Sequence, residues 1–286
     1  MINTIETRLL LNKTQESEID SCVVLWSKIY RQVWKLYNNQ KLSETDIYHQ
    51  IKSLNLLTSE QIGSIINKVK AEHSKIKELT KSQLKQKKSK LEHINKFITK
   101  EQKIIDKYNK EIVKLKSAKT LDYPKISKLN NSIKKKQLIL SNKKIKVNRL
   151  TKSINLIQQR IETNTFKLCF GSSDLLKQRP GNHTDKFRLN SNQKVYNNLS
   201  DWKKDWDLSR NNIWYSVGRS AKPQGNAEIQ YYPTDKKLRL RLTEQVAYSR
   251  LKNIALEVGL NFEDLNSKIK YSSYRMKSRF IEIEQV

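Results

Sequence analysis

Between residues 197 and 242 aromatic and cationic side chains are interleaved. Trp202, Trp206, Trp214, Tyr215, Tyr231 and Tyr232 share the segment with Lys203, Lys204, Arg210, Arg219, Lys222, Arg239 and Arg241. Aromatic rings stack on unpaired bases, and cations beside them track phosphates. The chemistry this mixture offers is nucleic-acid binding. Tryptophans also anchor the cores of small domains, and that reading is favoured for Trp206 and Trp214. Arg219, Lys222, Arg239 and Arg241 read as phosphate contacts. The loop Ser220-Ala221-Lys222-Pro223-Gln224-Gly225-Asn226 either offers polar groups to bases and backbone or simply turns the chain.

Other reactive types are present without a constellation. Asp174, Asp185, Asp201, Asp205, Asp207 and Asp235 could supply a carboxylate pair, but Asp201, Asp205 and Asp207 mix with Lys203 and Lys204 as on a solvated helix face. His49, His73, His93 and His183 have no metal-ligand spacing. Cys22 and Cys169 are too few for a disulfide framework or a four-cysteine zinc site, and both read as core residues. No glycine-rich phosphate loop or nucleophile elbow occurs. No catalytic residue, metal or cofactor is expected from these patterns.

The elements that must position the segment are mostly helical. Thr4/Glu6/Arg8 alternate with Ile5/Thr7/Leu9, which suits a short strand within residues 3–11. Thr14 can cap a helix in which Ile19, Cys22, Val23, Trp26, Tyr30, Val33 and Tyr37 form one apolar face. Ser43 starts a second helix, and Thr58 with Gln61 is a capping box for a third. Leu84, Leu91, Ile98, Ile105 and Ile112 then recur every seven residues, with Ile94, Tyr108 and Leu115 on the second seam. Leu121-Asp122-Tyr123-Pro124 interrupts them. Ile126, Ile133, Leu140, Val147, Ile154 and Ile161 resume the repeat. Two heptad runs around a turn predict an antiparallel coiled-coil hairpin over 62–161, with arms of roughly 55 Å. The phase slips between Ile76 and Leu84, where the first arm should bend or begin. Lys87, Lys136 and Lys143 on the second seam should weaken it.

After Arg160 the composition shifts to Trp, Tyr, Gly, Pro, Asn and Asp. Strands are predicted at Thr165–Phe170, Ile213–Val217, Ala227–Tyr232, Lys237–Leu242 and Phe280–Ile283, and a helix at Asn197–Arg210. Pro233-Thr234-Asp235 suits a hairpin connection. The fold class is α+β, mainly α, with a small barrel-like unit.

The 286 residues carry 57 Lys+Arg against 28 Asp+Glu, a net charge of +29. From Gln61 to Arg160 there are 28 basic and 7 acidic residues, so most of the surplus lies in the hairpin. Part of the lysine count reflects a Lys-, Asn- and Ile-rich coding bias. What remains calls for a polyanionic partner or a solvated surface. No apolar run is long enough to span a membrane, and the start lacks the order of a signal peptide. A soluble, cytoplasmic and nucleoid-associated protein without a membrane partner is expected.

One ordered set of residues resembles a known family. Phe170-Gly171-Ser172 precedes a basic tail at Lys177 and Arg179. Trp202-x-x-x-Trp206 follows, then Arg210-Asn211, Val217-Gly218-Arg219, Gln224-Gly225-Asn226 and Leu238-Arg239-Leu240-Arg241-Leu242. The order is similar to the region ahead of the nuclease domain in TnpB-like (OrfB-type) transposon-encoded proteins, relatives of type V CRISPR effectors. Leu9-Leu10-Leu11-Asn12-Lys13-Thr14-Gln15-Glu16 also resembles their opening. The resemblance covers 165–242 and, loosely, 1–38.

The resemblance implies a wedge domain, an oligonucleotide-binding-like β-barrel, interrupted by a helical recognition lobe. Residues 1–13 would give the first barrel strand, 14–161 the lobe and 162–286 the rest of the barrel. The partners implied are guide RNA and target DNA, held by shape and backbone. The expected contacts are Arg179, Arg188, Trp202, Lys203, Arg210, Tyr215, Arg219, Lys222, Gln224, Asn226, Arg239 and Arg241. Relatives continue into a RuvC-like domain with three metal-binding carboxylates, and neither these nor zinc cysteines can be located here. Two-metal cleavage needs such ligands, so this chain alone is expected not to cut DNA. It reads as a fragment, a truncated binder or half of an enzyme completed by a nuclease domain in trans. The rival reading is a basic coiled-coil interaction protein.

Overall fold

Asn12 accepts from the Gln15 amide at 2.9 Å, and Gln15 Oε1 accepts from the Asn12 amide at 3.1 Å. This capping box starts α1 (Lys13–Asn38). The cap is Asn12 rather than Thr14, because only Asn12 has a glutamine three residues on to close the box. The computed structural model describes residues 10–117, 122–181, 196–212, 214–216, 226–232, 234–258 and 277–284. Ser43 caps α2 (Glu44–Lys52) through the Asp46 amide. Thr58 and Gln61 form the expected box at the start of α3 (Ser59–Lys116), each bond 3.1 Å. After α4 (Tyr123–Glu162) come α5 (Ser173–Lys177), α6 (Leu199–Arg210), β1 (Ile229–Tyr232), β2 (Lys237–Arg241), α7 (Glu244–Glu257) and β3 (Phe280–Glu284). The chain is mainly helical with a small antiparallel sheet.

The chain forms two compact units. One comprises Met1–Glu72 with Lys167–Val286, the other His73–Phe166. α1 and α2 thus belong with the sheet. α3 remains helical through the phase slip, and the boundary between units falls near it.

In the first unit β2 is central, antiparallel to both neighbours in the order β1-β2-β3. Leu238 faces Ile283 and Leu240 faces Ile281 across β2 and β3. With Leu242 they bury an apolar face against Cys22 of α1 and Ala247 of α7, joined by Leu11, Ile19, Trp214 and Val246. The alternate β2 residues, Arg239 and Arg241, fall on the opposite side of the pleat.

Among the described residues the sheet is open, and the expected barrel does not close. Thr165–Phe170 and Trp214–Ser216 carry no strand, nor do Leu10–Asn12. Ile213, Val217 and the rest of the predicted 3–11 strand lie outside the described residues. The inner face of the sheet is covered by helices instead of facing strands, which leaves nothing for further strands to pack on. α7 was not anticipated, although Thr243 caps it through the Val246 amide and Ala247, Leu251 and Ala255 lie buried at helical spacing.

Phe170 packs edge-on against Tyr30 at 5.6 Å and Trp34 at 6.2 Å, and Trp26 stacks on Tyr30 at 5.4 Å. Burial, with the nearby Glu72 carboxylate, pushes the Tyr30 phenol up to about 12. Cys22 is fully buried against Thr243, and burial raises its thiol pKa. Cys169, expected in a core, is exposed because its segment forms no strand.

In the second unit α3 and α4 run antiparallel. Glu111 pairs with Lys125 and Glu101 with Lys136, while Lys143 lies over Phe97. His73 reaches Asn164 and Phe166 at the far end. Ile105, Ile112, Ile126, Ile133 and Leu140 form the apolar seam, flanked by Ile98, Tyr108, Leu115 and Leu129. Two of the seam lysines are accommodated: Lys136 pairs with Glu101 at 2.5 Å, and Lys143 sits 5.0 Å above the Phe97 ring.

Candidate nucleic-acid interface

α6 brings together three residues of the aromatic and cationic segment, and Arg179 joins them. Trp202 and Trp206 are one turn apart and stack at 5.5 Å with an interplanar angle of 13°. The Arg179 guanidinium lies 5.5 Å from the Trp202 ring, and that of Arg210 lies 5.7 Å from Trp206. The four make a ladder in which the tryptophan pair lies between Arg179 and Arg210. Cation–π contact favours such placement. Trp202 is only 6% exposed, and its Nε1 donates to the Leu175 carbonyl at 2.7 Å. It is a core anchor whose ring offers no platform for a base. Lys203, on the same helix, is exposed.

Arg210 is fixed from outside α6. Arg31 of α1 donates from Nη1 to the Arg210 carbonyl and from Nη2 to Asn211 Oδ1, both at 2.9 Å. A cation at a helix C-terminus also complements the helix dipole. The backbone at Gly171 comes close: a Cβ there would meet Ser209 Oγ at 3.1 Å and Arg210 Cβ at 3.3 Å, at φ +110. Burial, then the positive charge of Arg210, lower the Arg31 pKa; Asp207 acts in the opposite direction. Among the described residues no carboxylate forms an ion pair with Arg31 or Arg210, and Arg210 Nε is buried without a hydrogen-bond partner. Sequence reasoning missed Arg31. Its signal is a cation directly beside the buried Tyr30 in an otherwise apolar stripe.

Tyr215 is 39% exposed, with the Lys68 ammonium 4.9 Å from its ring. Asn226 is engaged in local structure. Its Oδ1 accepts from Ser216 Oγ and from the Glu228 and Ile229 amides. Those bonds fix the entry to β1.

The two β2 arginines have internal partners. Arg239 lies 4.0 Å from the Phe280 ring centre and 3.9 Å from Glu282, its neighbour across the sheet. Arg241 is within 3.7–3.8 Å of Glu60 of α3, Glu228 just before β1 and Glu244 of α7. Glu228 is 2% exposed; its Oε1 accepts from Thr58 Oγ1 at 3.0 Å and its Oε2 has no partner. Burial raises the Glu228 pKa, with Thr58 and Arg241 acting against it. Arg241 is committed to these carboxylates, while Arg239 Nε is buried without a hydrogen-bond partner among the described residues. Arg188, Arg219, Lys222 and Gln224 lie outside the described residues.

The unit His73–Phe166 holds 26 basic and 7 acidic residues, a surplus of 19. Among its described residues, Lys81, Lys96, Lys125 and Lys136 form ion pairs. Many of the other described lysines of α3 and α4 in this unit are exposed, as Lys103, Lys107, Lys110, Lys134, Lys135 and Lys144 are. Among the described residues no group of three or more His, Cys, Asp or Glu is arranged to hold a metal ion, and no helix is long and apolar enough to cross a membrane. No family model, curated protein or solved structure matches this chain.

Proposed function

We propose that this chain is the nucleic-acid-binding portion of a transposon-associated TnpB-like protein. It holds guide RNA and target DNA through backbone contacts and is not catalytic by itself. The observation that carries the reading is the basic unit: 26 basic against 7 acidic residues, with four of the lysines ion-paired among the described residues. Phosphate neutralisation releases counterions and favours such a surface. The paired helices, seamed by isoleucine and leucine, act as a coiled-coil arm that spreads this charge along a strand or duplex. The ordered motifs from Phe170 to Leu242 support the family reading. A nuclease domain would act in trans or from a longer gene product.

Sequencing the RNA that co-purifies after a high-salt wash tests this. One discrete, structured RNA is the expected result. Heterogeneous RNA that washes away, or none, would overturn the reading. A second reading, a basic coiled-coil interaction protein, is favoured by one observation. Leu138, Ile145 and Leu156 are 66%, 49% and 55% exposed at helical spacing on α4, away from the seam. Self-association indifferent to nucleic acid would support it.

A further inference from the structure

We propose that the Arg31–Arg210 pair at the end of α6 is a binding site for a phosphate group, taken under the reading above from the backbone of the bound strand. The site rests on that reading for its source but on geometry for its chemistry. Arg31 spends two donors on the Arg210 carbonyl and Asn211 Oδ1, and the positive charge of Arg210 acts on it. Trp206 supports the Arg210 guanidinium from one side. The Gly171 backbone packs against the root of the same side chain.

Two cations held together are mutually unfavourable unless an anion lies near. Three other partly buried arginines of this unit have carboxylates beside them: Arg241 has three, Arg239 has Glu282 and Arg250 has Glu18. At the end of α6 the Asp207 charge acts on Arg31 without forming an ion pair among the described residues. Among the described residues the Arg31–Arg210 pair has no ion-paired carboxylate, and the Arg210 guanidinium donates no hydrogen bond to any of them. A planar guanidinium presents donors in a fork that matches phosphate oxygens, and burial strengthens the contact.

Two variants of the full chain test the site. Arg210→Gln removes the charge yet keeps the main-chain carbonyl that Arg31 binds. Asn211→Asp keeps the acceptor for Arg31 and installs an internal anion beside the pair. Two probes are used: a short labelled single-stranded RNA titrated over a series of salt concentrations, and thermal melts in inorganic pyrophosphate. Both variants should lessen the slope of log K against log salt by about 0.7, one phosphate on a single strand. Pyrophosphate should raise the melting temperature of the native chain and not of either variant. Asn211→Asp should melt higher than the native chain without pyrophosphate.

RNA binding with an unchanged slope in both variants would overturn the site and leave the functional reading standing. Failure of every chain to bind RNA would overturn the functional reading. The pyrophosphate melts would then decide the site alone. A shift lost in the variants supports a site for a free phosphate group, and an equal shift in all three overturns it.

Discussion

Arg31 donates to the main-chain carbonyl of Arg210, so one arginine fixes the backbone that carries another. The second bond, to Asn211 Oδ1, ties the residue that caps α6. Arg31 is therefore a positioning residue, and its loss should be felt in the fold before it is felt in binding. Hydrogen bonds from a charged donor contribute roughly 1.5–3 kcal/mol. Arg31→Ala should lower the unfolding free energy in urea by about 2 kcal/mol. Arg210→Gln, which spares both acceptors, should cost less than about 1 kcal/mol on the same scale. Equal losses would mean that the Arg210 side chain itself holds α6.

Glu228, beside Arg241, contributes a pH dependence to the stability of the first unit. Three carboxylates share one guanidinium, and the most buried of them, Glu228, has its pKa raised chiefly by burial. The folded chain thus holds the Glu228 proton at pH values where the unfolded chain has released it. Its contribution to stability is complete below the unfolded value and is lost as pH rises through the raised one. The expected outcome is a melting temperature that falls over that window in the native chain. Glu228→Gln, neutral at every pH, should flatten the fall. A fall of the same size in the variant would place the titration elsewhere.

The same cluster bears on binding. Reading Leu238–Leu242 as alternating apolar and basic residues identifies the strand and its buried face correctly. It does not reveal Glu60, Glu228 and Glu244, which converge on Arg241 from positions up to 181 residues away. The heptads of α3 and α4 were legible because their spacing is local. So was the Thr58–Gln61 box. The open sheet was not, since closure depends on which surfaces cover the inner face, and helices α1 and α7 cover it. Trp202 reads from the sequence as a nucleic-acid contact, but it is buried: a ring one turn from another can stack outward on a base or inward on its neighbour, and here it stacks on Trp206.

Substituting both β2 arginines by glutamine should consequently leave the salt slope of RNA binding unchanged while lowering stability. If both touched phosphates, the slope would lessen by about 1.4 on a single strand. Salt-dependent affinity and urea unfolding measured on one protein preparation separate the two effects. A slope reduced without loss of stability would return Arg239 and Arg241 to the interface.

Thiol chemistry checks where the two cysteines lie. Cys22 is fully buried between α1 and the start of α7, while Cys169 is exposed in a segment without strand structure. Reactivity needs an accessible thiolate, and burial has raised the Cys22 pKa. A colorimetric disulfide reagent should modify one thiol quickly in the native chain and both in denaturant. Cys169→Ser should abolish the fast phase. If the fast phase persisted, α1 would have to open readily around Cys22.

The pairing of α3 with α4 rests partly on Glu101 and Lys136, whose side chains are only 14% and 23% exposed. A lysine on an apolar seam is unfavourable in itself, since desolvation penalises the ammonium. The carboxylate 2.5 Å away offsets that penalty. Glu101→Gln therefore removes a partner and leaves a charge half out of water. The loss should lie between an exposed pair at under about 1 kcal/mol and a buried one at about 3–5 kcal/mol, and about 2 kcal/mol is expected. Glu78→Gln breaks the well-exposed pair with Lys81 and should change stability by less than about 0.5 kcal/mol. Adding Lys136→Leu to Glu101→Gln should recover most of the loss, because leucine suits the seam between Ile133 and Leu140. Urea unfolding of the three variants gives the comparison. No recovery in the double variant would mean that the seam is not dry at this position and that Lys136 is solvated there.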